Sequence, residues 1–273
     1  MKKLAFILIA IATLVSCKSG FTWEKVPING RLTGVTAPSA DNIPEALGKI
    51  AEDGSYVAPN GAVFTSGATP AVATALICAQ PSMARVKEVI AFSTRAMSAH
   101  RPESELSNFV ADFLRAETAR VTGQQTDVAV TNFGGIRVDM PEGDVLLDDV
   151  RSMFPFVNKI CWVQLSGENL LHLMNEIAEY GPQCVSGVKM VIADHKLESV
   201  EVGGQPIDPK KKYGVATVDF LLDGGDNIHV GYGASKLIVT DVVIGDAIEK
   251  YIRQLTAEGK AIEYQTDGRV IVK

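Results

Sequence analysis

The stretch from about residue 86 to the C-terminus alternates between two hydrophobic patterns, and this alternation limits the possible folds more than any other feature. Apolar side chains recur every three or four residues between Ser104 and Val121, which predicts an amphipathic helix capped by Gly123. Short continuous apolar runs at Asp127–Thr131 and Tyr213–Val218 are typical of buried strands. Because helices and strands interleave, we expect one domain from residue 86 onward.

A predicted hairpin fixes the sheet type. Val188–Ile192 and Leu197–Val202 flank Asp194-His195-Lys196, a turn-forming sequence. A hairpin requires antiparallel pairing, so the sequence predicts a mixed α/β (α+β) fold, not a purely parallel sheet. Val86–Phe92 fits either a strand or a short helix. The other predicted elements are helices at Ile43–Ile50, at Pro70–Ala79, from Ser166 to just before Gly181 and after Thr240 as N-cap, and strands at Ile160–Leu165 and Arg269–Val272.

The N-terminus has the form of an export signal. Two lysines precede the apolar run Leu4–Val15, which is too short for a transmembrane helix of roughly 20 residues. Leu14-Val15-Ser16-Cys17 resembles a bacterial lipobox, in which Cys17 carries the lipid; the alternative is a plain signal peptide with an incidental cysteine. We therefore predict a signal peptide over residues 1–16, an extension and linker over 17–85, and a lipid-anchored domain over 86–273 that faces the periplasm or the cell surface.

Composition limits the partners of this domain. Apolar residues make up 47% of the chain, enough for a substantial core, and the formal net charge of −6 argues against a nucleic-acid surface. The cysteines after Cys17 are Cys78, Cys161 and Cys184, an odd number whose spacing matches no zinc motif. We expect buried free thiols at these three positions.

The loop from Asn132 to Arg137 is the most informative local feature. It follows a predicted buried strand and places Gly134 and Gly135 beside an arginine. Paired glycines expose backbone N–H groups and let a ligand approach closely, which suits an anion or a polar ring edge. A tight turn with a surface arginine explains the same residues, and this alternative stays open for the loop alone.

Two later loops carry aromatic and polar side chains together. Phe156 and Asn158 lie in one loop before the predicted strand at Ile160, and an asparagine can both donate and accept hydrogen bonds. Phe220 and Asp226 lie in another loop after the predicted strand that ends at Val218. A purine could be held between the two phenylalanines, with Asp226 accepting hydrogen bonds from ribose hydroxyls.

Both loops have alternative interpretations that involve no nucleoside. Phe154 and Phe156 would serve equally well as core residues. A metal site is the other alternative, although the spacing and the glycines do not fit a calcium-binding loop. Its candidate ligands are Asp219, Asp223, Asp226 and His229.

Taken together and in their order along the chain, the three loops resemble those of the C-terminal, substrate-binding domain of the bacterial 5'-nucleotidase and UDP-sugar hydrolase family. That family has an E-x-x-L/M-G-N-L helix start followed by N-G-G-G-I-R-like, P-F-G-N and F-x-x-G-G-D-like loops. The similarity covers about residues 86–273. The corresponding segments here are Glu103–Phe109, Asn132–Arg137, Pro155–Asn158 and Phe220–Asp226, with weaker matches at Ser166–Leu170 and Gln183–Val188.

The resemblance implies a four-layer α/β/β/α sandwich that holds a nucleoside. Phe156 and Phe220 would clamp the base across one open cleft, with ring centroids about 7 Å apart, and Asn158 would read the edge of the base. Both rings should then be partly exposed when no ligand is bound.

The same resemblance implies the polar contacts. Asp226 would bind the ribose, and Arg137 with Asn132 would face the ribose or a phosphate. Gly134 and Gly135 would leave room for the ligand beside the backbone.

Some residues depart from the family pattern. Arg101 is the nearest candidate for a further family arginine before the first helix, with His100 as the alternative. Phe133 and Val157 replace small residues and would strain the backbone wherever φ is positive. Asn227-Ile228 replaces a Gly-Tyr pair, so the ligand is expected to differ from a standard mononucleotide.

The metal-carrying half of two-domain family members is missing from this sequence. Their hydrolysis needs D-x-H and G-N-H-E motifs that hold two metals, and none of the four histidines here lies in such a motif. The resemblance therefore implies no catalytic or metal-binding residue and no cofactor in this chain, with divalent metals expected only in a partner chain. Three interpretations stay open: a binding subunit for a separate metallophosphoesterase chain, a stand-alone nucleotide-capturing lipoprotein, and an unrelated surface role.

Overall fold

The computed structural model describes residues 36–273, so the predicted signal peptide and Cys17 lie outside the described residues. The described chain begins with a small unit made of α1 (Ile43–Leu47), β1 (Lys49–Ile50), β2 (Tyr56–Val57), β3 (Val63–Phe64) and α2 (Ala68–Met83). The predicted helix over residues 43–50 is wrong at its end. Gly48 has a φ of 77°, and the two residues after it pair with β2. The helix predicted over residues 70–79 is confirmed and is longer at both ends.

The main domain begins after a 3₁₀ turn at Ala84–Lys87. The segment Val86–Phe92, which fits either a strand or a short helix by sequence, forms the end of this turn and then a strand. Its elements in chain order are β4 (Val89–Ser93), α3 (Glu105–Thr122), β5 (Val128–Thr131), β6 (Gly143–Leu146), α4 (Leu147–Met153), β7 (Lys159–Ser166), α5 (Gly167–Tyr180), β8 (Cys184–Ser186), β9 (Val188–Ala193), β10 (Lys196–Val202), β11 (Gln205–Pro206), β12 (Lys212–Val218), β13 (Lys236–Val243), α6 (Ile244–Ala257) and β14 (Val270–Val272).

A five-stranded sheet in the order β13-β7-β12-β5-β8 forms the centre of the domain. β12 pairs parallel with β5 and antiparallel with β7. Both β5 and β12 are buried on both faces, because α3 packs across them and because their side chains are almost all apolar. This mixed pairing matters for function because it sends three loops to the same edge of the sheet.

Helix α3 begins and ends where the sequence predicts. The Ser104 hydroxyl accepts a hydrogen bond from the Ser107 backbone N–H, and Gly123 ends the helix with a φ of 65°. The apolar stripe is buried, with Leu106 and Leu114 both 0% exposed. Burial of this stripe against the sheet supplies most of the helix's stability.

A four-stranded sheet in the order β11-β10-β9-β14 lies beside the first, and α5 packs against β10, β7 and β12. The predicted hairpin is confirmed as β9 and β10. Its turn places Asp194 and His195 at φ values of 48° and 59°, the left-handed conformation that tight hairpins favour. A short antiparallel pair, β4 with β6, completes the domain.

The boundary predicted at Thr240 is also wrong. Thr240 does not cap a helix; it lies inside β13, and its hydroxyl donates to the Ile160 carbonyl oxygen at 2.8 Å. α6 begins four residues later, at Ile244. The β-branched run from Ile238 to Val243 favours pairing with β7 over a helical start, which periodicity alone did not distinguish.

The mixed α/β class predicted from the hairpin is confirmed. Cys161 and Cys184 are buried free thiols as expected, whereas Cys78 lies exposed on α2, which contradicts the prediction for that residue. Burial raises the pKa of the Cys161 thiol to about 12, so this group stays protonated at neutral pH. Among the helices between residues 36 and 273, none combines the length and apolar content that crossing a bilayer requires.

Candidate functional site

Sheet topology brings three sequence-distant loops together. β5 and β12 run parallel, so the loops that follow Thr131 and Val218 leave the same edge of the sheet. β7 runs antiparallel to β12 with Ile160 opposite Val218, so the loop that precedes β7 reaches that edge as well. These three loops carry eight of the nine predicted ligand residues, and we call their meeting point the three-loop site.

An asparagine–aspartate bridge joins the first and third loops. The Asn132 side-chain amide donates to an Asp226 carboxylate oxygen at 2.8 Å, across 94 residues of sequence. Asn132 is only 5% exposed, and its Oδ1 has no hydrogen-bond partner within residues 36–273. A buried carbonyl oxygen without a partner is costly in a finished core, whereas a ligand could satisfy it in a binding site.

The two glycines of the first loop lie close against this asparagine. A Cβ atom added at Gly135 would lie 2.9 Å from Asn132 Oδ1, and one added at Gly134 would lie 3.2 Å from its Nδ2. Neither glycine has a positive φ, and the lack of a Cβ atom at both leaves room for the Asn132 side-chain amide.

Arg137 connects the first loop with the second. Its backbone N–H donates to the Met153 carbonyl oxygen at 2.9 Å, and its guanidinium donates to the Gly134 carbonyl oxygen at 3.2 Å. The guanidinium carbon lies 6.0 Å from the centroid of the Phe156 ring. The arginine is exposed, so its charge remains available to an anionic group above Phe156.

The two phenylalanines are surface residues, not core residues. Phe156 is 47% exposed and Phe220 is 49% exposed, whereas Phe154 is buried at 8%. The core alternative therefore holds for Phe154 and fails for Phe156. Asn158 is half-buried, and its backbone carbonyl oxygen accepts from the Ile244 N–H at 3.0 Å, which fixes the end of the second loop.

The third loop is folded tightly around Phe220. A Cβ atom at Gly225 would lie 2.3 Å from the Phe220 carbonyl oxygen and 2.8 Å from its ring, so only glycine fits there. The next residues, Asp226 and Asn227, have left-handed φ values of 52° and 61°. This turn aims the exposed Asp226 back at Asn132 and keeps Phe220 beside it.

The structure shows the backbone conformation of Phe133 and Val157, which depart from the family pattern, and the position of Arg101. Neither Phe133 nor Val157 has a positive φ, so the expected strain is not present at these positions. Arg101 lies with its guanidinium carbon 5.1 Å from the Phe133 ring centroid, and its Nε donates to the Pro182 carbonyl oxygen at 2.7 Å. Arg101 is thus next to the first loop, on the side of Phe133.

Three of the four residues considered as metal ligands, Asp219, Asp226 and His229, have hydrogen-bond partners within the chain. Asp219 accepts hydrogen bonds from the backbone N–H groups of Lys159 and Phe220. His229 pairs with Glu176, a residue that no sequence pattern singled out because the two are 53 positions apart. No group of three or more His, Cys, Asp or Glu side chains in the described part of the chain is arranged to hold a metal ion.

Comparison with known proteins decides the family. The model of the family described as "5'-nucleotidase, C-terminal domain" matches residues 82–231, more than half of the chain. The chain belongs to this family. The predicted fold class, a layered mixed α/β sandwich of the 5'-nucleotidase C-terminal type, is thereby confirmed.

Relatives of this 5'-nucleotidase C-terminal domain are longer proteins. The chain is 26% identical to Protein UshA of Escherichia coli over 149 residues, which are 53% of this chain and 27% of UshA. It is 31% identical to the cell wall protein Lmo0130 of Listeria monocytogenes over 189 residues, 63% of this chain and 24% of that protein. The structure of a 5'-nucleotidase precursor from Thermus thermophilus is similar with a TM-score of 0.65 and 25% identity, covering 80% of this chain and 45% of that one. The matched part of this chain therefore spans about a quarter of the length of UshA and of Lmo0130.

Proposed function

We propose that this 5'-nucleotidase C-terminal domain binds a nucleotide or nucleoside at the three-loop site. The observation that carries the proposal is the orphaned Asn132 Oδ1 in the bridge to Asp226, with the half-exposed Phe156 and Phe220 on two of the loops that meet there. A buried acceptor in need of a donor, a carboxylate and two exposed rings are the groups that a nucleoside needs. Family membership supports the same ligand class.

The contacts follow from the chemistry of each group. The base would stack between Phe156 and Phe220, each stack contributing roughly 1–3 kcal/mol, and Asn158 would read the edge of the base. Asp226 would accept hydrogen bonds from ribose hydroxyls, which are donors. The Arg137 guanidinium would pair with a phosphate as a charge-assisted donor.

Asn132 would complete the ribose contacts. Its Nδ2 is already committed to Asp226, so its Oδ1 would accept from a ribose hydroxyl. Two ribose hydroxyls, each with one O–H donor, would be needed to satisfy Asn132 Oδ1 and the Asp226 carboxylate. Arg101, which lies next to Phe133, would add positive charge at the margin of the site.

We assign hydrolysis of the nucleotide to a second chain in this proposal. Two-metal hydrolysis needs several His and Asp ligands converging on one point, and residues 36–273 do not provide that set. In this proposal a separate metallophosphoesterase chain supplies the metals, and the present chain supplies the nucleoside site. We expect no metal-dependent phosphate release from AMP by this chain alone, and EDTA-sensitive release from a homogeneous sample would contradict the assignment.

Export and a lipid anchor at Cys17 belong to the same proposal. The similarity to a protein named a cell wall protein supports a location outside the cytoplasm. Cys17→Ser is expected to leave an unprocessed precursor or a soluble protein. If this variant still fractionates with membranes and still incorporates palmitate, the anchor lies elsewhere.

A thermal-shift screen of residues 17–273 tests the binding function. Nucleosides, nucleotides and UDP-sugars are compared with and without a divalent metal, and the proposal predicts stabilisation by one of these classes that needs no metal. No shift with any of them would overturn the proposal. Mixing with a metallophosphoesterase chain then separates the binding-subunit role, in which phosphate release appears, from stand-alone capture, in which it does not.

A further inference from the structure

The long connection between β12 and β13 lies along one face of α5. Asn169, His172 and Glu176 are spaced by three and four residues, so they share that face. The Asn169 amide donates to the Gly233 carbonyl oxygen at 3.0 Å, and the His172 and Tyr232 rings lie 5.0 Å apart. The part of the connection near β13 is therefore fastened to the helix.

Glu176 makes the strongest of these attachments. One carboxylate oxygen accepts the His229 backbone N–H at 2.9 Å, and the other accepts the His229 Nδ1–H at 2.9 Å. The second oxygen also lies 3.5 Å from His172 Nε2. Glu176 is 12% exposed while the two imidazoles are about half exposed, so the carboxylate is the inner member of the cluster. Its two bonds fix both the backbone and the ring of His229.

The fixed ring supports the turn that carries Asp226. The Nε2 side of the His229 ring lies against Gly224, where a Cβ atom would come within 2.9 Å of Nε2. Gly224 has a φ of 93° and leads into the left-handed pair Asp226 and Asn227. Two consecutive left-handed residues are less favourable than ordinary backbone, even for aspartate and asparagine, so a contact from outside the turn helps to hold it in place.

We propose that Glu176 is a positioning residue for the ligand site. Acting through His229, it holds the turn in which Asp226 meets Asn132, and thereby presents the Asp226 carboxylate to the ribose. This inference rests on the proposed nucleotide-binding function. Glu176 itself makes no hydrogen bond to any of the nine predicted ligand residues in the described chain; its partners are His229 and His172.

The test compares Glu176→Ala and Glu176→Gln with Glu179→Ala, an exposed glutamate on the same helix. AMP and UMP are titrated calorimetrically, and amide hydrogen exchange of residues 224–230 is measured without ligand. Glu176→Ala should weaken binding about tenfold, the scale of lost charge-assisted hydrogen bonds, and should speed exchange in the turn. Glu176→Gln keeps one acceptor oxygen and should lie between Glu176→Ala and wild type, and Glu179→Ala should match wild type.

A double variant separates positioning from a general effect on stability. If Glu176 acts through the turn, Glu176→Ala should weaken binding little further once Asp226→Ala is present. Fully additive losses, or binding and exchange unchanged in Glu176→Ala, would overturn the inference. If wild type itself binds neither nucleotide, the proposed function fails, and the exchange rates of the ligand-free turn still decide whether Glu176 holds it.

Discussion

Two polar networks connect distant parts of this chain, and they differ in how fully their polar atoms are hydrogen-bonded. At the three-loop site, the Asn132–Asp226 bridge leaves Asn132 Oδ1 without a partner. Around Arg269, which is 9% exposed, the guanidinium pairs with Asp112 and Asp267 and also donates to the Val185 carbonyl oxygen. The Arg269 network joins elements of the fold, whereas the Asn132–Asp226 bridge leaves one acceptor unpaired, which we propose a ligand occupies.

The hydrogen bonds around Arg269 also lower the pKa of one carboxyl group in the network, that of Asp112. Asp112 accepts hydrogen bonds from Arg269, Ser186 and Tyr264, tying α3 to β8 and to the C-terminal segment. Burial raises the pKa of the Asp112 carboxyl, but these donors outweigh burial and hold that pKa below its ordinary value. No comparable convergence of donors surrounds Asp226 in the described residues, which suits a carboxylate that accepts from a ligand.

Removing Arg269 should have the largest effect. Arg269→Met leaves Asp112 partly buried without its cation, and we expect a loss of about 3–5 kcal/mol in the free energy of unfolding. Urea unfolding measures this loss. The control is Arg95→Met, which breaks an exposed pair with Glu263 and should cost less than about 1 kcal/mol. Equal costs would show that the Arg269 network is no more important than a surface pair.

Removing Asn132 should affect binding more than stability. Because its Oδ1 is unpaired in the ligand-free chain, Asn132→Ala should change the free energy of unfolding by less than about 1 kcal/mol. Affinity for a nucleoside should fall about tenfold, because the ribose acceptor is lost. The matched variant in the Arg269 network is Ser186→Ala, which should lower stability and leave affinity unchanged. A reversed result would exchange the roles of the two networks.

Acid should weaken the Arg269 network in a defined direction. The folded-state pKa values of Asp112 and Asp267 are lowered, so their contribution to stability is complete above the unfolded value of about 4 and is lost as pH falls below it. Urea unfolding between pH 6 and pH 3 should show a smaller fall for Arg269→Met than for wild type. Equal slopes would mean that Arg269 does not set these pKa values.

The sequence predicts features that depend on neighbours along the chain. α3 with its Ser104 and Gly123 ends, the β9–β10 hairpin and the three loops are all encoded locally, by periodicity, caps and turn residues. The start of α6 was misplaced because the choice between strand and helix at Thr240 depends on pairing with β7. The attachment of His229 to Glu176 was not predicted, because it joins residues that only the tertiary fold brings together.

Calorimetric titration of residues 17–273 with AMP in EDTA tests the central claim most directly. The variants are Phe156→Ala and Phe220→Ala, with Phe92→Ala as a matched control, since Phe92 is 52% exposed on β4. Wild type and Phe92→Ala should bind equally, and each site variant should lose roughly 1–3 kcal/mol, about 5–150-fold in affinity, with little change in melting temperature. Equal affinity in all four proteins, or no binding to wild type, would contradict a nucleotide site between these two rings.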